Sequence, residues 1–259
     1  VNSFLTKGAD DMAEQLPPKK LFVRFADKND EQKIFDFYAA NEHAFVFARE
    51  PDVWRERIAS GAVTLIEDAQ GHIVAAAISY PVVVKNDKGE DEHRWTELGS
   101  VRISLQNLGL FNVLVPAQVM RAFLFETPSD RFVVEIVPEN AHSKHVFAKL
   151  GGQPFDIPQT LADKINETIS PEDKGTPTDW FQLGVENMPL VARMFAGAVD
   201  NPVLTDRATG AVYELDFSRC VVATQFMDIV RDIGVQDMGD PAQPHPGKHL
   251  RDVRNKIKP

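Results

Sequence analysis

A mixed α/β fold, with a sheet flanked by helices and an α/β extension behind it, follows from three features of the chain. Apolar runs of strand length alternate with stretches whose apolar residues recur at helical spacing. A tight turn signal, Asp68-Ala-Gln-Gly71, joins two of the strand runs as a hairpin. In mid-chain, Asp130-Arg-Phe-Val-Val-Glu-Ile-Val-Pro-Glu-Asn140 reads as an apolar strand stopped by proline. It leads into Ala141-His-Ser-Lys-His-Val-Phe-Ala-Lys-Leu-Gly-Gly152, a short amphipathic helix capped by Asn140 and ended by glycine.

In order, residues 1–20 form a polar arm with a short helix around Ala9–Gln15, closing at Pro17-Pro18. Leu21–Ala26 is the first strand. Asp27–Asp30 supply a turn and N-cap to a helix over 30–42, whose stripe is Ile34, Phe35, Phe37 and Tyr38. Pro51-Asp52 opens a second helix carrying Val53, Trp54 and Ile58, which stops at Ser60-Gly61. Strands 62–67 and 72–80 follow, then a charged loop over 85–93, then a strand at Trp95–Ser104. The next helix runs to Glu126. Its start lies near Leu110, or at Pro116 if that proline takes the first helical position. After the strand over 131–137 and its helix come a partly helical stretch at 160–174, a late strand at Asp179–Gly184 and a helix at 188–198. A hairpin follows at 203–217 and helical spacing at 219–233. From Gly239 the chain is Pro-rich, then basic, and reads as a flexible tail.

Composition narrows the function. The 259 residues carry 28 Lys and Arg against 38 Asp and Glu, a formal charge of -10. No basic surplus exists to neutralise phosphates, so a nucleic-acid partner is not expected. One cysteine, Cys220, rules out an internal disulfide and reads as a small buried hydrophobe. Apolar runs fall short of the roughly 20 residues that cross a bilayer, and residues 1–11 lack a signal-peptide core. The expectation is a cytoplasmic chain with no membrane partner. Glu139, His142 and His145 share a helix face but lack a fourth ligand, so no metal site is expected.

The order strand, two helices, three strands, helix, strand, helix, with Val137-Pro138, Asn140, Lys149 and Gly151 closing it, resembles the GNAT superfamily of N-acetyltransferases. The resemblance covers somewhat over half the chain and places the acyl-CoA-binding domain at 21–158. Residues 159–238 become an extension packing on the sheet, and 239–259 the tail. It implies a mostly antiparallel sheet that turns parallel where acetyl-CoA, or another acyl-CoA, enters as co-substrate. The pantetheine arm would pair with the backbone of Val101 and Ile103 on a strand that splays from its neighbour, with Gly99 as the bulge point. The pyrophosphate would sit on Gln106-Asn-Leu-Gly-Leu, on the backbone of Leu108, Gly109 and Leu110 beside Gln106. Phenylalanine replaces the final small residue of that motif, and a start at Pro116 would move the cradle to 112–115. Asn140 and Ser143 would touch the cofactor. Phe147 stands where the family usually offers the tyrosine that protonates the thiolate.

Glu97 is the candidate general base, with Glu135 as second choice, because an amine of pKa near 10 attacks a thioester only once deprotonated. The implied activity is acyl transfer to the primary amine of a small molecule or peptide. The alternative is an inactive fold that senses CoA or holds a protein partner. Apolar residues over 203–233 suffice to cover the domain itself or a twin, which leaves a homodimer open.

Overall fold

The computed structural model describes residues 17–42, 45–126 and 131–235, so the helix expected near 9–15 and the tail from 239 lie outside the described residues. Among the described residues nine strands form one sheet: β1 Lys19–Phe25, β2 Val63–Asp68, β3 Ile73–Lys85, β4 Asp91–Ile103, β5 Arg131–Ile136, β6 Gln153–Pro154, β7 Asp179–Gly184, β8 Val203–Thr205 and β9 Val212–Asp216. Their spatial order is β6-β7-β5-β4-β3-β2-β1-β9-β8. Neighbours run antiparallel except β4 with β5 and β1 with β9, which are parallel. Segments that follow residue 158 in sequence thus extend the sheet at both edges, β7 beside β5 and β9 beside β1.

The helices are α1 Glu31–Ala40, α2 Pro51–Ala59, α3 Phe111–Phe125, α4 Ala141–Lys149, α5 Gln159–Asn166, α6 Met188–Asp200, α7 Val221–Gln225 and α8 Met227–Gly234. Strand alternation sorts them onto two faces. On one face Leu21, Val23, Ala75, Ala77, Leu98, Phe132, Val134 and Ile136 pack with the apolar residues of α3, α4, α6, α7 and α8. On the other, Leu65, Ala76, Ile78 and Tyr80 meet α1 and α2, while Val82, Trp95 and Val133 meet Leu161 and Ile165 of α5.

Two elements differ from what local sequence predicts, and a third takes the first of its two expected starts. The charged stretch 85–93 is strand at both its ends, because β3 and β4 keep pairing out to Lys85↔Asp91. The turn is confined to Asn86–Glu90, where the Asn86 side chain accepts from the Lys88 and Glu90 N–H groups. Helix α3 starts at Phe111, so Pro116 lies inside it, walled in by buried neighbours from Val113 to Leu124. Tertiary burial outweighs the lost ladder bond there. Residues 219–233 form two helices rather than one, broken at Phe226, which leaves helical backbone (φ -123°) and meets Phe125 edge-on at 5.1 Å.

Candidate active site

Strands β4 and β5 stay together for three pairs, Trp95↔Arg131, Thr96↔Phe132 and Glu97↔Val133, and then part. Beyond Glu97 the edge of β4 facing β5 has no ladder partner among the described residues. A bulge turns β4 at the same place. Ile78 of β3 faces Gly99 while Ala76 faces Arg102, so β4 holds one residue more than its neighbour. That residue is Ser100, left-handed at φ 51°. Tyr38 fixes it by donating to its carbonyl, and the Tyr80 hydroxyl lies 3.3 Å from its Oγ.

Gly99, the expected bulge point, is needed for a different reason. A Cβ there would sit 3.0 Å from Glu97 Oε1, 3.3 Å from the Tyr80 ring and 3.4 Å from Arg49 Nη2. The side chain is absent because a buried ion pair fills the space.

The gap between the two strands is a cleft of about 320 Å³. Of the residues singled out from sequence, Glu97, Val101, Ile103, Gln106, Asn140, Ser143 and Phe147 all line it. Asn140 is the N-cap of α4, its Oδ1 accepting the Ser143 N–H at 3.1 Å. Phe147, about two turns after Asn140, is buried at the cleft wall. Gln106 turns back so that its Nε2 donates to the Ile103 carbonyl at 2.5 Å.

Leu108, Gly109 and Leu110 behave differently. The two leucine side chains enter the core, and Gly109 takes φ 71°. The loop contributes backbone: among the described residues, none of the N–H groups of Leu108, Gly109, Leu110 or Phe111 donates to a protein acceptor. These lie at the start of α3, where helix geometry leaves donors unpaired. The alternative start at Pro116 is corrected by the helix beginning five residues earlier.

Two carboxyl groups stand where the strands part. Both are on the face of α1 and α2, since Glu97 pairs with Tyr80 and Glu135 follows Val133 by two positions. Glu97 is 1% exposed and bonded to Arg49, whose guanidinium also donates to Thr168 Oγ1 at 2.6 Å and lies over the Tyr80 ring. Burial pushes the Glu97 carboxyl up, and Arg49 pulls against it. Glu135 accepts the Thr178 hydroxyl at 3.0 Å on one oxygen, while its Oε2 is buried without a partner. Burial, and then the Glu97 charge, push this carboxyl up to about 7.

Arg49 was invisible to sequence reasoning. It sits between α1 and α2 in a segment with no periodicity, and an isolated bridge to Ile169 holds it in place. Its partner Glu97 lies 48 positions away. The one available signal was indirect: a glutamate inside an otherwise apolar strand needs a cation from somewhere.

No protein-family model matches the sequence, and no curated protein matches it. Among solved structures, a polyamine N-acetyltransferase of Drosophila melanogaster that catalyses the formation of N-acetylagmatine is similar over 63% of this chain and 99% of its own. The identity is 12% and the TM-score 0.45. A GNAT-family acetyltransferase from Streptococcus pneumoniae covers 63% of this chain and 98% of its own at 14% identity, TM-score 0.43. N-acetylglutamate synthase from Neisseria gonorrhoeae, complexed with coenzyme A and N-acetylglutamate, covers 63% of this chain and 35% of its own at 14% identity, TM-score 0.43.

Proposed function

We propose that this chain is an acyl-CoA-dependent N-acyltransferase acting by direct attack within a ternary complex. The observation that carries the reading is the parting of β4 and β5 at Glu97/Val133, with a bulge at Ser100 turning the free edge of β4 into the gap. A peptide-like pantetheine arm fits such an opening because it can complete the interrupted ladder. Val101 and Ile103 offer the main-chain groups, and Asn140 and Ser143 the facing side. The N–H groups of Leu108–Phe111, with Gln106 beside them, suit a diphosphate.

The sheet divides the chemistry. Phe147, Phe111, Leu98 and Val134 pack on the α3–α4 side, a dry wall for a thioester. Glu97, Glu135 and Arg49 lie on the α1–α2 side, where the acceptor would enter. Among the described residues each carboxylate keeps one buried oxygen without a partner, and Glu135 is the better proton acceptor because Arg49 holds Glu97 and not Glu135, and because its pKa of about 7 leaves it available near neutrality. Glu97, held by Arg49, acts as a positioning group that raises the Glu135 pKa.

An ammonium proton passes to Glu135, and the freed amine attacks the thioester carbonyl. The N–C bond forms, the C–S bond breaks, and the second nitrogen proton leaves with the thiolate as CoA thiol. Phe147 cannot donate that proton, and a thiol of ordinary pKa about 8.5 needs little help to depart.

Calorimetric titration with acetyl-CoA and with longer acyl-CoAs tests the reading. Micromolar binding, with thiol release on adding amines, is the expected result. No binding of any CoA thioester would end it. CoA binding together with no thiol release from any amine would favour the sensing module.

A further inference from the structure

The buried arginines among the described residues each answer a carboxylate: Arg24 meets Asp30 and Glu67, Arg49 meets Glu97, and Arg57 and Arg121 share Glu126. The half-buried Arg102, in the cleft wall, does not. Among the described residues its guanidinium forms no ion pair. It donates from Nη2 to the Glu42 carbonyl at 3.3 Å, and its Nε is buried without a partner. Burial pulls its pKa down, and the nearby Tyr38 phenol supplies only partial compensation.

The bulge decides where this cation sits. In a regular strand, residues 97, 99 and 101 would share a face, which would place Val101 on the α1–α2 side. The extra residue at Ser100 sets Arg102 opposite Ala76 instead, on the face that carries Glu97, Glu135 and Arg49. Val101 and Ile103 turn to the α3 side. Arg102 therefore stands on the opposite strand face from Val101 and Ile103, on the side proposed for the acceptor.

We propose that the acceptor amine also carries a carboxylate, which the Arg102 guanidinium holds while the amine lies at Glu135. This rests on the acyltransferase reading. Glu97, whose charge acts on Glu135, and Arg102 are five positions apart on one strand, at most about 17 Å between Cα atoms. Both long side chains shorten that span to the scale of a small zwitterion. A simple amine would leave a second cation beside an uncompensated guanidinium in the same cleft, an arrangement that low polarity penalises. A carboxylate removes the conflict through charge-assisted hydrogen bonds, to the fork of Arg102 in particular.

The test compares amino acids with the amines left when their carboxylates are removed: arginine with agmatine, lysine with cadaverine, phenylalanine with phenethylamine. With acetyl-CoA and the full chain, at least one amino acid is expected to exceed its amine by about 10- to 100-fold in kcat/KM. Arg102→Gln should abolish that preference through KM, leaving the CoA Kd within twofold, while Arg102→Lys retains part of it. CoA binding with no preference for the carboxylate partner in any pair, or a preference that Arg102→Gln leaves intact, overturns the assignment of Arg102 alone. Failure to bind CoA at all removes the acyltransferase reading, and this assignment with it.

Discussion

A carboxyl that releases its proton near neutrality needs a dry site and a neighbour of like charge, and Glu135 has both. Replacing it by glutamine should lower kcat by about 10²- to 10³-fold and leave CoA affinity unchanged. The acid limb of kcat/KM, with an apparent pKa near 7, should vanish with it. The same residue sets a pH dependence of stability. Its folded pKa of about 7 is raised above the ordinary 4.5, so its contribution is complete below pH 4.5 and is lost as pH rises through 7. The loss amounts to at most roughly 3 kcal/mol. Glu135→Gln, which still accepts from Thr178, should melt higher than the parent at pH 8 and close to it at pH 4; equal melting at both would refute the buried charge.

Arg49 and Glu97 allow a complementary measurement. Arg49→Leu strands a carboxylate that is 1% exposed, and should cost about 3–5 kcal/mol in urea denaturation. The double variant Arg49→Leu/Glu97→Leu should recover most of that loss, since two apolar groups need no counter-charge. A double variant as unstable as the single one would show that Arg49 acts through packing on Tyr80 instead.

At the scale of elements, the end of α4 sets one wall of the cleft. Gly151 closes the helix at φ 83°, which glycine adopts without strain. Gly152 is needed for space, because a Cβ there would lie 2.8 Å from the Phe147 carbonyl and 2.9 Å from its ring. Gly152→Ala should therefore destabilise the fold by about 1–3 kcal/mol. It should also weaken CoA binding, since the displaced residue is Phe147 itself. Unchanged CoA affinity in a destabilised variant would separate the helix end from the cleft.

Across the whole molecule, the segment 21–158 proposed to bind acyl-CoA depends on chain that comes after it. Strand β7 pairs with all six residues of β5 and brings Thr178 to Glu135, while β9 covers the outer edge of β1. Removing both would expose two long strand edges and open the core under α6. A chain stopped at residue 158 should lose its cooperative urea transition; a sharp transition with a native-like midpoint would mean that 21–158 folds alone.

Local chemistry wrote much of this protein in advance. The Asn140 cap, the stop at Pro138, the glycine ending α4 and the hairpin at Asp68–Gly71 depend on neighbours a few residues apart, and periodicity of two or 3.6 named most strands and helices. What sequence could not supply was every relation across tens of residues. Such relations brought Arg49 to Glu97, carried β3 and β4 into both ends of the charged 85–93 stretch, set the bulge at Ser100 rather than Gly99 and so turned Arg102 rather than Val101 to the α1–α2 face. Cross-strand register and burial decide those matters, because a one-residue slip reverses every side chain beyond it and no local propensity records which slip will occur.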